Sequence, residues 1–275
     1  MTDSSPPYAH ILEREIERGL VELERPAVGL LLSGLSAGLD VGFSVLLMGV
    51  MASLFAEHSE TVAHLAVAAA YPVGFIFVIA GRSELFTEHT TLAVLPVLAR
   101  RSRVARLARV WLLVFVANVV GAFLFGTVVA LVGPALGVID RSALIGLGRE
   151  LTEHTWYITL VSAVLAGWMM GLLSWLVTAS EDTVSKILII VVITGGIGLA
   201  SLHHCILGTA ELAAAWWAEP GMAAESARAS VRTAGLATLG NAFGGVFFVA
   251  LLKFSHARRS GPSAPEIDRD AEDSE

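Results

Sequence analysis

Charge is scarce in this chain. Only 16% of its 275 residues are Asp, Glu, Lys or Arg, against about a quarter in ordinary soluble domains. A soluble domain of this length would lack the charge to cover its surface. Cysteine is scarcer still. Cys205 is the single one, which rules out an internal disulfide and suits a small buried packing residue. Enzyme signatures are missing too. The sequence has no His-Glu-x-x-His and no paired Asp motif, so neither an enzyme nor a cofactor is expected. Nothing points to a nucleic-acid partner.

Apolar residues fill the space. They make up 55% of the chain, and its mean hydropathy is +0.71. Several runs approach or exceed the roughly 20 residues that cross a bilayer. A multi-pass membrane protein is expected, with six spans at about 28–55, 65–99, 110–133, 158–179, 187–209 and 232–254. The second span is too long for one plain helix. Arg100, Arg101, Arg103, Arg106 and Arg109 follow it, Arg14, Arg18 and Arg25 precede the first, Lys186 follows the fourth, and Lys253, Arg258 and Arg259 end the sixth. The opposite loops hold only Arg141, Arg149, Arg228 and Arg232. Basic loops stay inside, so both termini are expected in the cytoplasm of a cell-membrane protein.

Three regions follow. Residues 1–27 begin polar and lack the apolar core of a signal peptide, so a cytoplasmic segment is expected. Its Ile11, Leu12, Ile16, Leu20, Val21 and Leu23 recur at helical spacing, as in an amphipathic helix on the membrane or a neighbouring subunit. Residues 28–255 hold the spans. Residues 256–275 run into "PSAPEIDRDAEDSE", whose composition is that of a disordered acidic tail.

Two polar islands interrupt the apolar pattern. The first, "GRSELFTEHT", falls inside the second span. Broken backbone at membrane depth is tolerated only where protein or a water-filled cavity covers it. Gly81 permits a turn, Leu85 and Phe86 suit an apolar constriction, and Thr87 offers a hydroxyl to a passing solute. Arg82 and Glu84 need partners or a membrane edge. An ordinary loop between two short helices is the alternative. The second island is His203 and His204 in the fifth span. Adjacent residues point to different faces of a helix, so at most one histidine faces a pathway. No further His lies four residues away, so no metal site is expected.

"NVVGAFLFG" from Asn118 and "NAFGGVFFV" from Asn241 share an Asn-x-x-Gly pattern, three spans apart. An odd separation reverses the second copy across the membrane. That is an inverted repeat, which places a site at the interface of its halves. Gly121, Gly244 and Gly245 let helices approach there.

With these motifs in view, the chain resembles the formate/nitrite transporter family over about 28–255. The carrying residues are Gly81, Glu84, Leu85, Phe86 and Thr87; Asn118 and Gly121; His204, Cys205 and Ile206; and Gly240, Asn241, Gly244 and Gly245. The resemblance implies an all-α, aquaporin-like fold of six transmembrane helices, with an inverted repeat and broken second and fifth helices. It implies a homopentamer in the lipid bilayer, one pore per subunit, passing a small monovalent anion or its conjugate weak acid. Leu85, Phe86 and Thr87 would form the gating break. Tyr71, Phe75 and Ile197 would form apolar constrictions, and His204 would be the central pore histidine. Two features depart from the family. The entrance lysine usual before the fourth span is replaced by "GRELTEHTWYI", with Arg149, Glu150, Glu153 and His154. The fourth-span asparagine position holds Gly171, with Ser174 one turn on. An acidic mouth repels anions, so a small neutral or cationic solute is the second reading, and a membrane protein that transports nothing is the third.

Overall fold

The computed structural model describes residues 8–219, 221 and 224–259, and the acidic stretch 260–275 lies outside them. Among the described residues every regular element is a helix. The first, α1 (Tyr8–Glu24), turns Ile11, Leu12, Ile16 and Leu23 inward and leaves Val21 exposed. Trp175 and Val249 share its apolar cluster.

The first half continues with α2 (Ala27–Leu54), α3 (Glu60–Ala70), α4 (Pro72–Ala80), α5 (Phe86–Leu92), α6 (Leu95–Leu98) and α7 (Val104–Ala135). Pro72 has no N–H to donate, and this separates α3 from α4. Ser44 bridges the kink: its hydroxyl donates to the Tyr71 carbonyl at 2.6 Å and accepts from the Gly74 amide at 2.9 Å. The second half comprises α8 (Arg141–Thr152), α9 (Trp156–Ala179), α10 (Thr183–Leu199), α11 (Cys205–Ala218) and α12 (Ala224–Phe243). After α12 the chain widens into a π-helix, Gly244–Leu251, and ends in α13 (Leu252–Arg259).

Among the described residues, five helical stretches are long and apolar enough to cross a membrane: 27–54, 60–80, 104–135, 156–179 and 226–257. Two shorter apolar helices, α10 and α11, flank the second island. The stretch before the first island thus reaches spanning length by Ala80, and the remainder of the expected 65–99 span is the separate pieces α5 and α6. The amphipathic α8 was not foreseen. It lies in a segment read as a loop, and buries Leu144 and Leu147.

The halves repeat each other in detail. α2 crosses α7 as α9 crosses α12. A Cβ on Gly38 would lie 2.2 Å from the Asn118 carbonyl oxygen, and one on Gly167 would lie 2.2 Å from that of Asn241. Only glycine admits such a crossing. The outer surface of α2, α7 and α9 exposes Leu32, Leu112, Leu124, Leu131, Val161 and Trp168, an apolar belt suited to lipid or to another subunit.

Candidate functional site: two helix breaks held by paired asparagines

Both islands are helix breaks of one design. α4 closes with the Ser83 amide donating to Val78 O at 2.9 Å, and α10 with the Leu202 amide donating to Ile197 O at 3.0 Å. In each, the preceding residue takes the left-handed conformation, Arg82 at φ +58° and Ser201 at φ +47°. This is the helix stop in which a left-handed residue lets an amide reach back five residues. Gly81 is therefore not the turn residue: its φ is −74°. It is needed for space, since a Cβ there would lie 2.3 Å from Phe77 O. The left-handed strain falls on Arg82, which is exposed.

Each break then runs extended into a short helix, and one asparagine spans it. Asn118 Oδ1 accepts from the Phe86 amide at 2.8 Å. Its Nδ2 donates to Gly34 O at 2.8 Å and Glu84 O at 2.9 Å. Asn241 Oδ1 accepts from the Cys205 amide at 2.8 Å. Its Nδ2 donates to Ala163 O at 2.8 Å and His203 O at 2.9 Å. Every partner matches its counterpart in register. The asparagines satisfy the backbone groups that a break at depth leaves orphaned.

The breaks meet at Thr87 and His204. Thr87 Oγ1 lies 3.0 Å from His204 Nε2, and both side chains are buried. His204 is also the N-cap of α11: its Nδ1 accepts from the Leu207 amide at 3.2 Å. Nδ1 therefore carries no proton, and the ring hydrogen on Nε2 donates to Thr87 Oγ1. The Thr87 hydroxyl keeps its own hydrogen for another acceptor. Phe75 sets its ring at 5.1 Å, edge-on to the imidazole, and Tyr71 stacks on Phe75 at 5.5 Å.

The remaining expected residues are placed as follows. Leu85 is fully buried in the break, just before α5. Phe86 turns to α7, with its ring 5.0 Å from Phe115 and 5.8 Å from Trp111. Ile197 is fully buried at the end of α10. Gly171 abuts Thr91 and Val249, and the Ser174 hydroxyl reaches Glu15 at 3.3 Å. These two are thus joined to α5, the π-helix and α1 rather than to the Thr87–His204 pair. Gly121 and Gly244 occupy equivalent crossings, against Leu35 O and Val164 O. His203 turns away from its neighbour, with Nδ1 2.9 Å from Ser162 Oγ and Nε2 3.0 Å from Leu151 O.

The first break is tied to α1 by charge. Glu84 accepts from Arg25 at 2.8 Å and lies 2.5 Å from His89 Nε2. Arg82 is not its partner, as the sequence had suggested it could be. Arg18 reaches Glu88 at 3.4 Å and Thr178 Oγ1 at 2.5 Å. Glu15 is fully buried under α1, accepts from Thr178 and Ser174, and is pushed up to about 6 by that burial. A cavity of about 770 Å³ opens between α1 and the first break, lined by Arg14, Arg18, Arg82, Glu88 and Lys186 among others. Glu22, Glu84 and His89 bring one ligand-type atom each within 4.8 Å. The Arg25 guanidinium already contacts the first two.

The pattern of the formate/nitrite transporter family matches residues 9–255. The chain belongs to that family. Among curated family relatives, inner membrane protein YfdC of Escherichia coli (strain K12) is 32% identical over 215 residues, which is 76% of this chain and 67% of YfdC. The uncharacterized transporter YrhG of Bacillus subtilis (strain 168) is 27% identical over 94% of this chain and 96% of its own. Formate channel FocA of Haemophilus influenzae is 22% identical over 64% of this chain and 62% of its own. In three dimensions the fold matches an FNT family ion channel with TM-score 0.75, at 22% identity over 90% of this chain and 97% of that one. It matches a pentameric formate channel with formate bound with TM-score 0.68, at 18% identity over 85% and 98%. The chain is thus an all-helical, multi-pass membrane protein of a transporter and channel family.

Family membership and motif spacing together made the asparagines, glycines and His204 findable from sequence. Ser162, Ser44, the Leu207 amide and Glu15 carry no motif. Their partners lie far away in sequence, and only the fold brings them together.

Proposed function

We propose that the chain conducts a small monovalent anion or its conjugate weak acid, of the formate and nitrite class, past the Thr87–His204 pair. The observation that carries this reading is the meeting of the two breaks. A threonine hydroxyl and an imidazole N–H sit 3.0 Å apart, with the Phe75 ring edge-on to the imidazole and Tyr71 stacked on Phe75. Apolar slits exclude hydrated ions, because stripping water from a charge costs far more than an apolar contact returns. A donor pair between the slits offsets part of that cost. The N-terminal end of α11 adds a partial positive charge at the same point. In this tautomer His204 offers a hydrogen bond and not a charge.

The same reading includes the six-span count, with α3–α4 and the first break forming the second span and α10–α11 the fifth. It puts residues 1–27 and both termini in the cytoplasm and the α8 side outside. It takes residues 256–275 as a tail, and the assembly as a homopentamer, as in the matched formate channel. A small neutral or cationic solute is the second reading. It is favoured by Glu150 and Glu153 at the mouth where other members carry a lysine.

The test is uptake into proteoliposomes of formate, nitrite, hydrosulfide, acetate, ammonium and a neutral solute. External pH would be set at about 5.5 and about 7.5, either side of the ordinary imidazole value. Anion uptake that rises in acid supports the weak-acid reading. Uptake of the neutral or cationic solutes alone replaces it with the second.

A further inference from the structure

Beyond the Thr87–His204 pair, α11 carries a second buried polar group. Glu211 is 6% exposed, and among the described residues its carboxyl has no hydrogen-bond or ion-pair partner. It faces a cavity of about 40 Å³ on the α8 side of the Tyr71–Phe75 stack, lined also by Tyr71, Gly198, Ser201, Leu202 and Glu150. That space holds a few waters at most. A carboxyl buried without a partner is costly in a membrane protein and marks a functional position.

The repeat shows that the fold does not require it. Carrying the register of the two breaks forward from Phe86 and Cys205 pairs Glu211 with Leu92 in the first half. Leu92 is buried and apolar. The same scaffold is therefore completed by a leucine on one side and by a carboxyl on the other.

The titratable groups around Glu211 give it no cation. Glu150 approaches from α8, with its own carboxylate accepting from Ser201 at 2.6 Å. His64 comes from α3, with Nε2 2.8 Å from Leu199 O. Tyr71 completes the set. α7 approaches α11 through Gly126 against Ala210, and Met48 of α2 lines the cavity. No Lys or Arg is among the described lining residues. A fixed positive charge cannot gather an anion here, but a carboxyl can hold and hand over a proton.

We infer that Glu211 protonates an incoming weak-acid anion on the α8 side, just before the Tyr71–Phe75 stack. The Glu211 O–H bond breaks as an oxygen of the anion takes the proton. The neutral acid moves on toward His204, and the Glu211 carboxylate is reprotonated through cavity water by a hydronium ion of the solution on the α8 side, which leaves as water. This rests on the weak-acid reading above. It reconciles an acidic mouth with an anionic solute, since the solute sheds its charge where repulsion would be greatest.

The experiment compares formate entry, with an interior pH dye, for wild type, Glu211→Gln and Glu211→Asp at acid and neutral external pH. Positioned proton transfer is worth roughly a hundredfold or more, so Glu211→Gln should lose at least about tenfold of the formate flux and its accompanying acidification, while Glu211→Asp keeps part of both. Wild-type formate flux matched by Glu211→Gln, with equal acidification, overturns the inference alone. No weak-acid flux in wild type overturns the weak-acid reading and this inference with it. A measurement on wild type covers a glutamine variant that does not fold. Formate should slow the modification of Glu211 by dicyclohexylcarbodiimide, read by mass spectrometry. A rate unchanged by formate counts against proton transfer at this carboxyl.

Discussion

Replacing Asn118 by Ala removes three hydrogen bonds and leaves two buried backbone groups of the break without partners, the Phe86 amide and the Glu84 carbonyl, whereas the Gly34 carbonyl lies within the ladder of α2. Leaving one such group unsatisfied costs about 1–3 kcal/mol. Hydrogen bonds inside membrane proteins average nearer 0.6 kcal/mol, because the unfolded chain in lipid finds other partners. The break changes that comparison. The Phe86 amide opens α5 and the Glu84 carbonyl precedes it, so neither has a partner in a helix ladder and the variant cannot satisfy them by local adjustment. We expect a loss of about 4 kcal/mol for Asn118→Ala, from two groups at the middle of the range. Melting in detergent should fall by roughly 8–16 °C, at about 2–4 °C per kcal/mol for a chain of this order. The repeat makes the expectation sharper. Asn241 holds its own three partners at the same distances, so Asn241→Ala should cost nearly the same. Asn→Asp at either position keeps the acceptor and replaces the two-bond donor with a charge, and should be no better than Ala. A loss below about 1 kcal/mol, or a clear inequality between the two alanine variants, would refute the clamp argument.

Three further outcomes are expected. Ser44→Ala unpairs the Tyr71 carbonyl and the Gly74 amide across the Pro72 kink, and should cost about 1–3 kcal/mol in the same melting assay. Gly38→Ala forces a methyl to within 2.2 Å of the Asn118 carbonyl, so it should separate α2 from α7 at a cost of about 1–3 kcal/mol or more, with Gly167→Ala its match. The carboxyl of Glu15 is held up at about 6, from an ordinary 4.5, by burial under α1. Its contribution to α1 docking is therefore full below 4.5 and is lost as pH rises through about 6; hydrogen exchange in α1, corrected for its intrinsic pH dependence, should show tighter docking in acid, and Glu15→Gln should abolish the trend.

Much of this arrangement was legible in the chain because backbone physics leaves marks in composition. Membrane spans follow from length and apolarity, and a polar island inside one has to be covered. Asn118 and Asn241 were visible as a repeated motif, although spacing did not say which amides and carbonyls they bind. The turn was misplaced by one residue. Glycine is the usual left-handed residue, so Gly81 drew the assignment, yet the reach of the Ser83 amide to Val78 sets the left-handed position at Arg82. The partners of Glu84 were hidden for another reason. Arg25 is 59 residues away and His89 only five, and nothing in the local pattern separates a pair within the break from a tie to α1. The helix α8 escaped because its apolar residues are few and its polar ones read as a loop. Phe86 has the composition of a constriction residue but packs on Trp111 and Phe115, a choice made by α7 and not by its own neighbours in sequence.

The repeat also separates what folds the chain from what works in it. Residues that match across the halves, the two asparagines and the close-packed glycines, hold backbone to backbone. Residues that differ at matching positions are free of that duty: Leu85 stands where the second half has His204, Thr87 where it has Ile206, and Leu92 where it has Glu211. His204→Leu would give the second break the side chain the first already uses. α5 begins without a side-chain cap at Leu85, so the break tolerates leucine there. The variant gives up the cap to Leu207 and the bond to Thr87, which costs about 1–2 kcal/mol, well short of the clamp variants. It should fold, assemble and melt near wild type, yet lose most of its weak-acid flux on the proposed reading, because the Thr87 hydroxyl then has no imidazole N–H beside it. Undiminished flux in a folded His204→Leu protein would show that the pathway does not run past this histidine.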